Sequence, residues 1–224
     1  MEDEETAGAL DRIASALRLR MEATNRHREE ALRTSREIIQ FSSRSIRATH
    51  RGEHDAARDL ALEARARVEA LSSSLSGQQS IFHAGFVHDA QKEYVEAEAM
   101  RSIALSGPLP DPNELAVESA AYLNGLAEAA SESRRFVLDK LRLGDIEEAD
   151  RVLKVMDDIY YELITFDFPD AITGGLRRTT DALRAVLERT RGDLSLTYAQ
   201  RRLEAAIARA EGAAAMPRNY LEKP

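Results

Sequence analysis

The sequence predicts an all-α bundle, and three observations carry that expectation. Apolar residues recur at helical spacing along nearly the whole chain. Glycine and proline are scarce, 11 and 6 of 224 residues, where a sandwich or barrel would use them in a turn every ~8–12 residues. Cysteine is absent, so neither a disulfide framework nor a thiolate zinc site can organise the fold. Apolar residues make up 43% of the chain, enough for a core, and with aromatics at 5% and no Trp that core must be aliphatic.

The elements follow in order. Leu10, Ile13, Leu17 and Met21 mark a first helix, continued at heptad spacing by Leu32, Ile39 and Ile46 up to Gly52. Residues 22–31 are polar all round, so this helix either breaks there or runs on exposed. A second helix over about 53–75 carries Leu60, Leu62, Val68 and Leu71, and a third spans about Gln79 to Leu105. The segment Ser106-Gly107-Pro108-Leu109-Pro110-Asp111-Pro112-Asn113 holds three prolines and reads as a loop. Asn113 is a suitable N-cap for a fourth helix, whose stripe includes Leu115, Tyr122, Leu126, Ser133 and Val137 before Gly144 stops it. Asp145 with Glu148 then forms a capping box for a fifth helix bearing Val152, Val155, Met156, Ile159 and Leu163. Phe168-Pro169 breaks it. A sixth helix runs through Leu176, Leu183 and Leu187 to Gly192, and a seventh covers about 195–212. Short connections make these seven helices one domain over 1–224, with loose ends at 1–5 and 213–224. No apolar run approaches the ~18 residues of a membrane span. The acidic Met1-Glu2-Asp3-Glu4-Glu5 is unlike a secretory signal, so a cytoplasmic protein is expected.

Two charged faces stand out. On the third helix Phe82, Phe86, Asp89, Glu93, Glu96, Met100 and Ile103 step by three and four along one face, apolar at its ends and acidic in its middle. Glu132 shares a stripe with Tyr122 and Phe136, and Asp158 flanks Val155 and Ile159. Carboxylates on a core stripe are usually paired or bound to metal. An oxygen-only set suits Mg²⁺ or Mn²⁺. The competing reading is that the stripe turns to solvent or that Arg101, Arg134 and Arg135 neutralise it. On the first helix Arg33, Arg36, Gln40, Arg44, Arg47 and Arg51 share a face. Residues 31–52 carry +4 while the rest of the chain carries -12, for a total of -8. A basic stripe on an acidic chain suits phosphate, which arginine binds with a planar fork, although a solvated face is the ordinary role of a charge run.

Other chemistries lack their motifs. There is no Gly-rich phosphate loop and no G-x-S-x-G elbow. None of the five histidines has a Glu three residues before it, which a di-iron carboxylate bundle requires. The pairs His54-Asp55 and His88-Asp89 are too short to count as motifs.

Several segments resemble the translin family. Gln91-Lys92-Glu93-Tyr94-Val95-Glu96-Ala97 is similar to a stretch of its translin-associated factor X branch. Tyr122-Leu123-Asn124-Gly125-Leu126 followed by Glu132-Ser133-Arg134-Arg135 is similar to the next helix, and Leu143-Gly144-Asp145 to the turn after it. The resemblance runs from about residue 30 to 210 and is closest to archaeal members. It implies an all-α fold in a closed homo-oligomer, with an octameric shell as one form, that binds single-stranded RNA or DNA. For the factor X branch it implies Mg²⁺-dependent endoribonuclease activity. The residues implied are Glu93, Glu96 and Asp158 as metal ligands and catalytic carboxylates, with Glu132 beside them. Arg33, Arg36, Arg44 and Arg47 would hold nucleic acid. Two alternatives remain: a translin-type shell that binds without cutting, and an all-α nucleoside triphosphate pyrophosphohydrolase using Glu93/Glu96 with Glu147/Asp150.

Overall fold

In the computed structural model of the chain the described residues run from 2 to 214, leaving aside the side chains of 2–5, 7 and 212–214. They form helices α1 (Glu2–His50), α2 (His54–Ser74), α3 (Gln79–Phe82), α4 (Gly85–Ala104), α5 (Pro112–Leu115), α6 (Ser119–Arg142), α7 (Ile146–Leu163), α8 (Asp170–Thr173) and α9 (Leu176–Ala214). No strand occurs among the described residues. The fold is therefore all-α, and the described residues form six long helices and three single turns rather than seven helices. Among the described residues no helix is long and apolar enough to cross a membrane. The ends expected to be loose fall largely outside the described residues, although 2–5 and 213–214 lie within α1 and α9.

Several boundaries differ from the sequence expectation. The polar stretch 22–31 does not interrupt α1, which continues through it as an exposed helix. The third helix is two pieces, a single turn and then α4, separated at His83–Ala84. The cap expected at Asn113 belongs to Asp111, whose carboxylate accepts from the Asn113 backbone N–H at 2.7 Å. That helix lasts one turn because Ala116 is left-handed, φ 53°, and α6 begins afresh at Ser119. Gly192 does not end a helix. Leu187, Thr190 and Leu194 are buried on either side of it, so one stripe runs through and outweighs the ~1 kcal/mol a mid-helix glycine costs. The Asp145 cap is present, accepting from the Glu148 backbone N–H at 3.3 Å, but Glu148 turns to Arg151 instead of closing the box.

The helices pack in a definite order. Antiparallel α1 and α2 are tied by the Arg67–Glu37 ion pair and by Ser45 Oγ donating to the Ala57 carbonyl. α4 and α6 run parallel: Gln91 accepts from the Glu118 backbone N–H near their starts, and Ser133 meets Met100 further along. Parallel neighbours need a long return connection, and the proline segment supplies it, pinned by Tyr122 Oη donating to the Pro110 carbonyl at 2.7 Å. α9 runs alongside α6 in the same direction, through Thr179–Asn124, Arg134–Thr190 and finally Arg201, which donates to the Gly144 carbonyl. α7 returns antiparallel between them.

The core is aliphatic, with Ile38, Val68, Val95, Met100, Val137, Met156, Leu183 and Leu187 buried in it. Small residues line its centre. At Gly125 a Cβ would stand 2.6 Å from Val95 Cβ and 2.7 Å from the Lys92 carbonyl oxygen. Only a residue without Cβ lets α4 and α6 approach this closely. Gly125→Ala is therefore expected to cost about 2 kcal/mol through overpacking. Gly192→Ala, whose Cβ would meet nothing within 4 Å, is expected to gain up to about 1 kcal/mol. Urea denaturation of both variants checks the contrast, and a neutral Gly125→Ala would contradict the close seam.

Candidate metal centre

The seam between α4 and α6 carries the acidic cluster. Glu93 and Glu96 lie one turn apart on α4. On α6 the positions Gly125, Glu128 and Glu132 step by three and four, so Glu128 and Glu132 share the glycine's face. Glu93, Glu96 and Glu128 each present an oxygen within 4.8 Å of the others, and all three are half-buried. This is the one group of three or more potential ligands found among the described residues.

The electrostatics are those of like charges held together. Glu96 is pushed up to about 8, first by burial and then by Glu93, Glu128 and Glu132. Glu93 is also raised, by burial and by the Glu128 and Asp89 charges, against the opposing pull of Lys92. Lys92 is the local cation and bonds Glu128 at 2.9 Å. The arginines that could have neutralised the stripe are largely engaged elsewhere: Arg101 with Glu98 and Arg134 with Asp193. Glu132 differs from its neighbours. Its carboxyl is held below the usual range, first by the hydrogen bond from His50 at 2.8 Å. The His50 ring is buried, and its Nδ1 has no partner.

The other expected site residues are dispersed. Asp158 is not brought to the cluster. It lies exposed on α7 and lines a separate, mostly apolar cavity of about 500 Å³ with Tyr122, Val155 and Glu162. The physical reason is packing order: α7 lies against α6 and α9, and the neighbouring Asp157 pairs with Arg191 of α9. In the carboxylate set its place is taken by Glu128. Spacing from Glu132 could have flagged Glu128, which sits one turn earlier among alanines, but a lone acid on a helix reads as surface. Nothing in sequence points to His50, which is 82 residues from its partner. Asp89 is exposed and faces a different cavity with His88 and Phe82. Glu147 and Asp150 are exposed at the start of α7 and do not join Glu93 and Glu96.

Arg33, Arg36, Arg44 and Arg47 are exposed along α1. Their engagements are light: Arg33 lies 3.7 Å from Glu30, Arg44 is over the edge of the Phe41 ring, and Arg47 bonds Ser43. Arg51, at the end of the stripe, is held by Glu53. His50 follows Arg47 by one turn, so the basic helix leads to the residue that bonds Glu132.

The carboxylate cluster fits a hard divalent cation. It offers oxygen donors alone, it is half-buried, and its own charges raise two of its members, which a cation would relieve. In the metal-free protein Glu96 keeps its proton up to about pH 8. Mn²⁺ or Mg²⁺ affinity, measured by titration calorimetry, is therefore expected to rise up to about tenfold per pH unit below 8 and then level off. In EDTA the folded state holds this proton after the unfolded chain has released it. The stability it contributes is complete below the unfolded pKa and lost as pH rises through about 8. Glu96→Gln should flatten both profiles.

No family model matches the chain. It is 32% identical over 175 residues to an uncharacterized protein of Methanocaldococcus jannaschii, covering 77% of each. The crystal structure of AfC3PO superposes with a TM-score of 0.77 at 35% identity, over 84% of this chain and 97% of that one. The structure of AfC3PO in complex with duplex RNA gives 0.73 at the same identity and coverage. Apo-NeC3PO, at 20% identity over 82% and 96% of the two chains, shares the fold with a TM-score of 0.74.

Proposed function

Given that the chain belongs to the translin/translin-associated factor X family, we propose that it is a metal-dependent endoribonuclease that binds and cuts single-stranded RNA as a homo-oligomer. The observation that carries this reading is the half-buried group Glu93, Glu96 and Glu128, in which the described residues supply one close cation for three carboxylates. RNA as the ligand is supported by AfC3PO, which has been solved with duplex RNA.

Glu93, Glu96 and Glu128 would hold Mg²⁺ or Mn²⁺. When bound, such an ion lowers the pKa of a coordinated water and stabilises charge on phosphoryl oxygens. The protein's own groups do the rest. His50 fixes one Glu132 oxygen at 2.8 Å and keeps that carboxylate ionised at the edge of the cluster. Lys92 holds Glu128 and orients it on the seam. Arg33, Arg36, Arg44 and Arg47 span about 21 Å of helix, enough to follow several phosphates. Their fork geometry suits a backbone without selecting bases. α1 thus delivers a strand along its basic face toward the carboxylates.

One observation favours a second reading, a binding shell without turnover. The Lys92–Glu128 pair and a protonated Glu96 already relieve much of the repulsion, so the cluster can persist without metal.

A 5′-labelled single-stranded RNA incubated with Mg²⁺, and then with EDTA, separates the two. Wild type is expected to cleave, EDTA to stop it, and Glu96→Gln to lower the rate about 100-fold or more while retaining RNA binding. Equal cleavage by wild type and Glu96→Gln would show that the site lies elsewhere. Arg36→Glu with Arg44→Glu should weaken binding and lower the log-affinity against log-salt slope by about 1–2. That outcome would stand whether or not the protein cuts.

A further inference from the structure

A cavity of about 410 Å³ opens where the start of α4 meets the start of α6 and the turn at α8. Its walls are flat rings. Phe82 and His83 stand edge to face with their centroids 5.1 Å apart. The His88 ring lines the cavity as well, and the turn after α8 holds it in place: a Cβ on Gly174 would stand 2.9 Å from its Nε2. That nitrogen is buried and has no partner.

The polar groups around these rings are uncommitted. Gln91 is buried, and its Oε1 accepts from the Glu118 backbone N–H at 3.1 Å. That bond fixes which end of the carboxamide is which and leaves the amide nitrogen, a donor only, without a partner among the described residues. Asp89 is exposed and has no hydrogen bond or ion pair among the described residues. Gln91 and Asp89 flank His88 around α4, so a free donor and a free acceptor approach the cavity from two sides. Glu118 adds a second carboxylate, 3.8 Å from the His83 ring nitrogen. Among the described residues no lysine or arginine lines the cavity, which disfavours a phosphate there. Flat walls, acceptors in excess and one free amide donor suit a neutral heterocycle that carries N–H groups. An aliphatic amine would leave the amide donor unused.

We propose that this cavity is a nucleobase subsite, which receives one base of the RNA strand and prefers bases with an exocyclic amino group (cytosine, adenine or guanine) over uracil. Proteins read single-stranded RNA by splaying a base out, stacking it on aromatic or histidine rings and hydrogen-bonding its edge. Asp89 accepts from the amino group, as carboxylates do from cytosine N4, and Gln91 donates to a ring nitrogen or carbonyl of the same base. Uracil sets a carbonyl oxygen against the carboxylate instead. The location follows from the register of α4. Asp89 lies one turn before Glu93 on the same face, about 6 Å along the axis, so the base received belongs to a nucleotide close to the carboxylate seam. The arginines of α1 grip the backbone without regard to sequence, and this cavity supplies the selectivity they lack. The proposal rests on the RNA-binding part of the functional reading and not on cleavage.

Oligocytidylate and oligouridylate of equal length, 5′-labelled and followed by fluorescence anisotropy in EDTA so that neither is cut, test this directly. Wild type is expected to bind the cytidine strand about tenfold more tightly, the effect of one hydrogen bond to a charged group. Asp89→Ala, at an exposed position, should bring the two affinities together with unchanged helical circular dichroism. Arg36→Glu with Arg44→Glu should weaken both strands and keep their ratio, because phosphate contacts carry no sequence information. Equal affinities in wild type overturn the subsite. A preference that survives Asp89→Ala overturns its assignment to this cavity. Wild type that binds neither strand overturns the RNA reading and the subsite with it, whereas a selective binder that fails to cut in Mg²⁺ overturns the cleavage alone and leaves the subsite standing.

Discussion

The close approach of α4 and α6 at Gly125 is the contact on which the rest of the molecule depends. With Val95 and the Lys92 carbonyl where a Cβ would sit, the two backbones lie nearer than ordinary side chains allow. The consequence runs in two directions. Towards the core, it lets small residues such as Ala97, Ala129 and Ser133 be fully buried and leaves the volume to Val95, Met100 and Val137. Along the seam, it brings the acidic turn of α4 against the acidic turn of α6. The proline segment serves the same contact, because two parallel helices can be neighbours only if the chain has a long way back.

That geometry has an electrostatic cost. Carboxylates at this separation in a half-buried seam resist ionising together, and Glu96 bears most of the effect. A structure selected for stability alone would place apolar residues there. The surroundings manage the charge unequally: Glu128 has Lys92, Glu132 has the buried His50, and Glu93 and Glu96 have no ion-pair partner among the described residues. Strain of this sort is what a divalent cation relieves, and it sits at the end of the exposed arginine face of α1. The separation of charge already visible along the sequence is thus also a separation in space, with His50 connecting the two regions.

Much of this was legible from local signals. Helical periodicity and scarce glycine and proline predicted the fold class, and the paired carboxylates Glu93 and Glu96 were visible from their spacing on one face. The resemblance to translin relatives supplied the expected family. Boundaries were less legible where a local breaker met a tertiary stripe. Gly192 is a stop by composition, yet buried Thr190 and Leu194 carry α9 through it. Conversely, Ala116 is a good helix former and still ends a turn, because the chain must bend there to begin α6.

The sequence by itself determined the helices, the aliphatic core and which helix faces carry charge, since these follow from periods of three and four that any one helix imposes. It could not determine which charged faces meet. Asp158 and Glu128 are both acids beside apolar stripes. What separates them is that α6 turns Glu128 toward α4, whereas α7, packed on α9, carries Asp158 away. His50 reaches Glu132 across 82 residues of chain. Only tertiary packing makes such choices, because close approach depends on the volumes of residues distant in sequence. Here that volume is a single missing Cβ at Gly125.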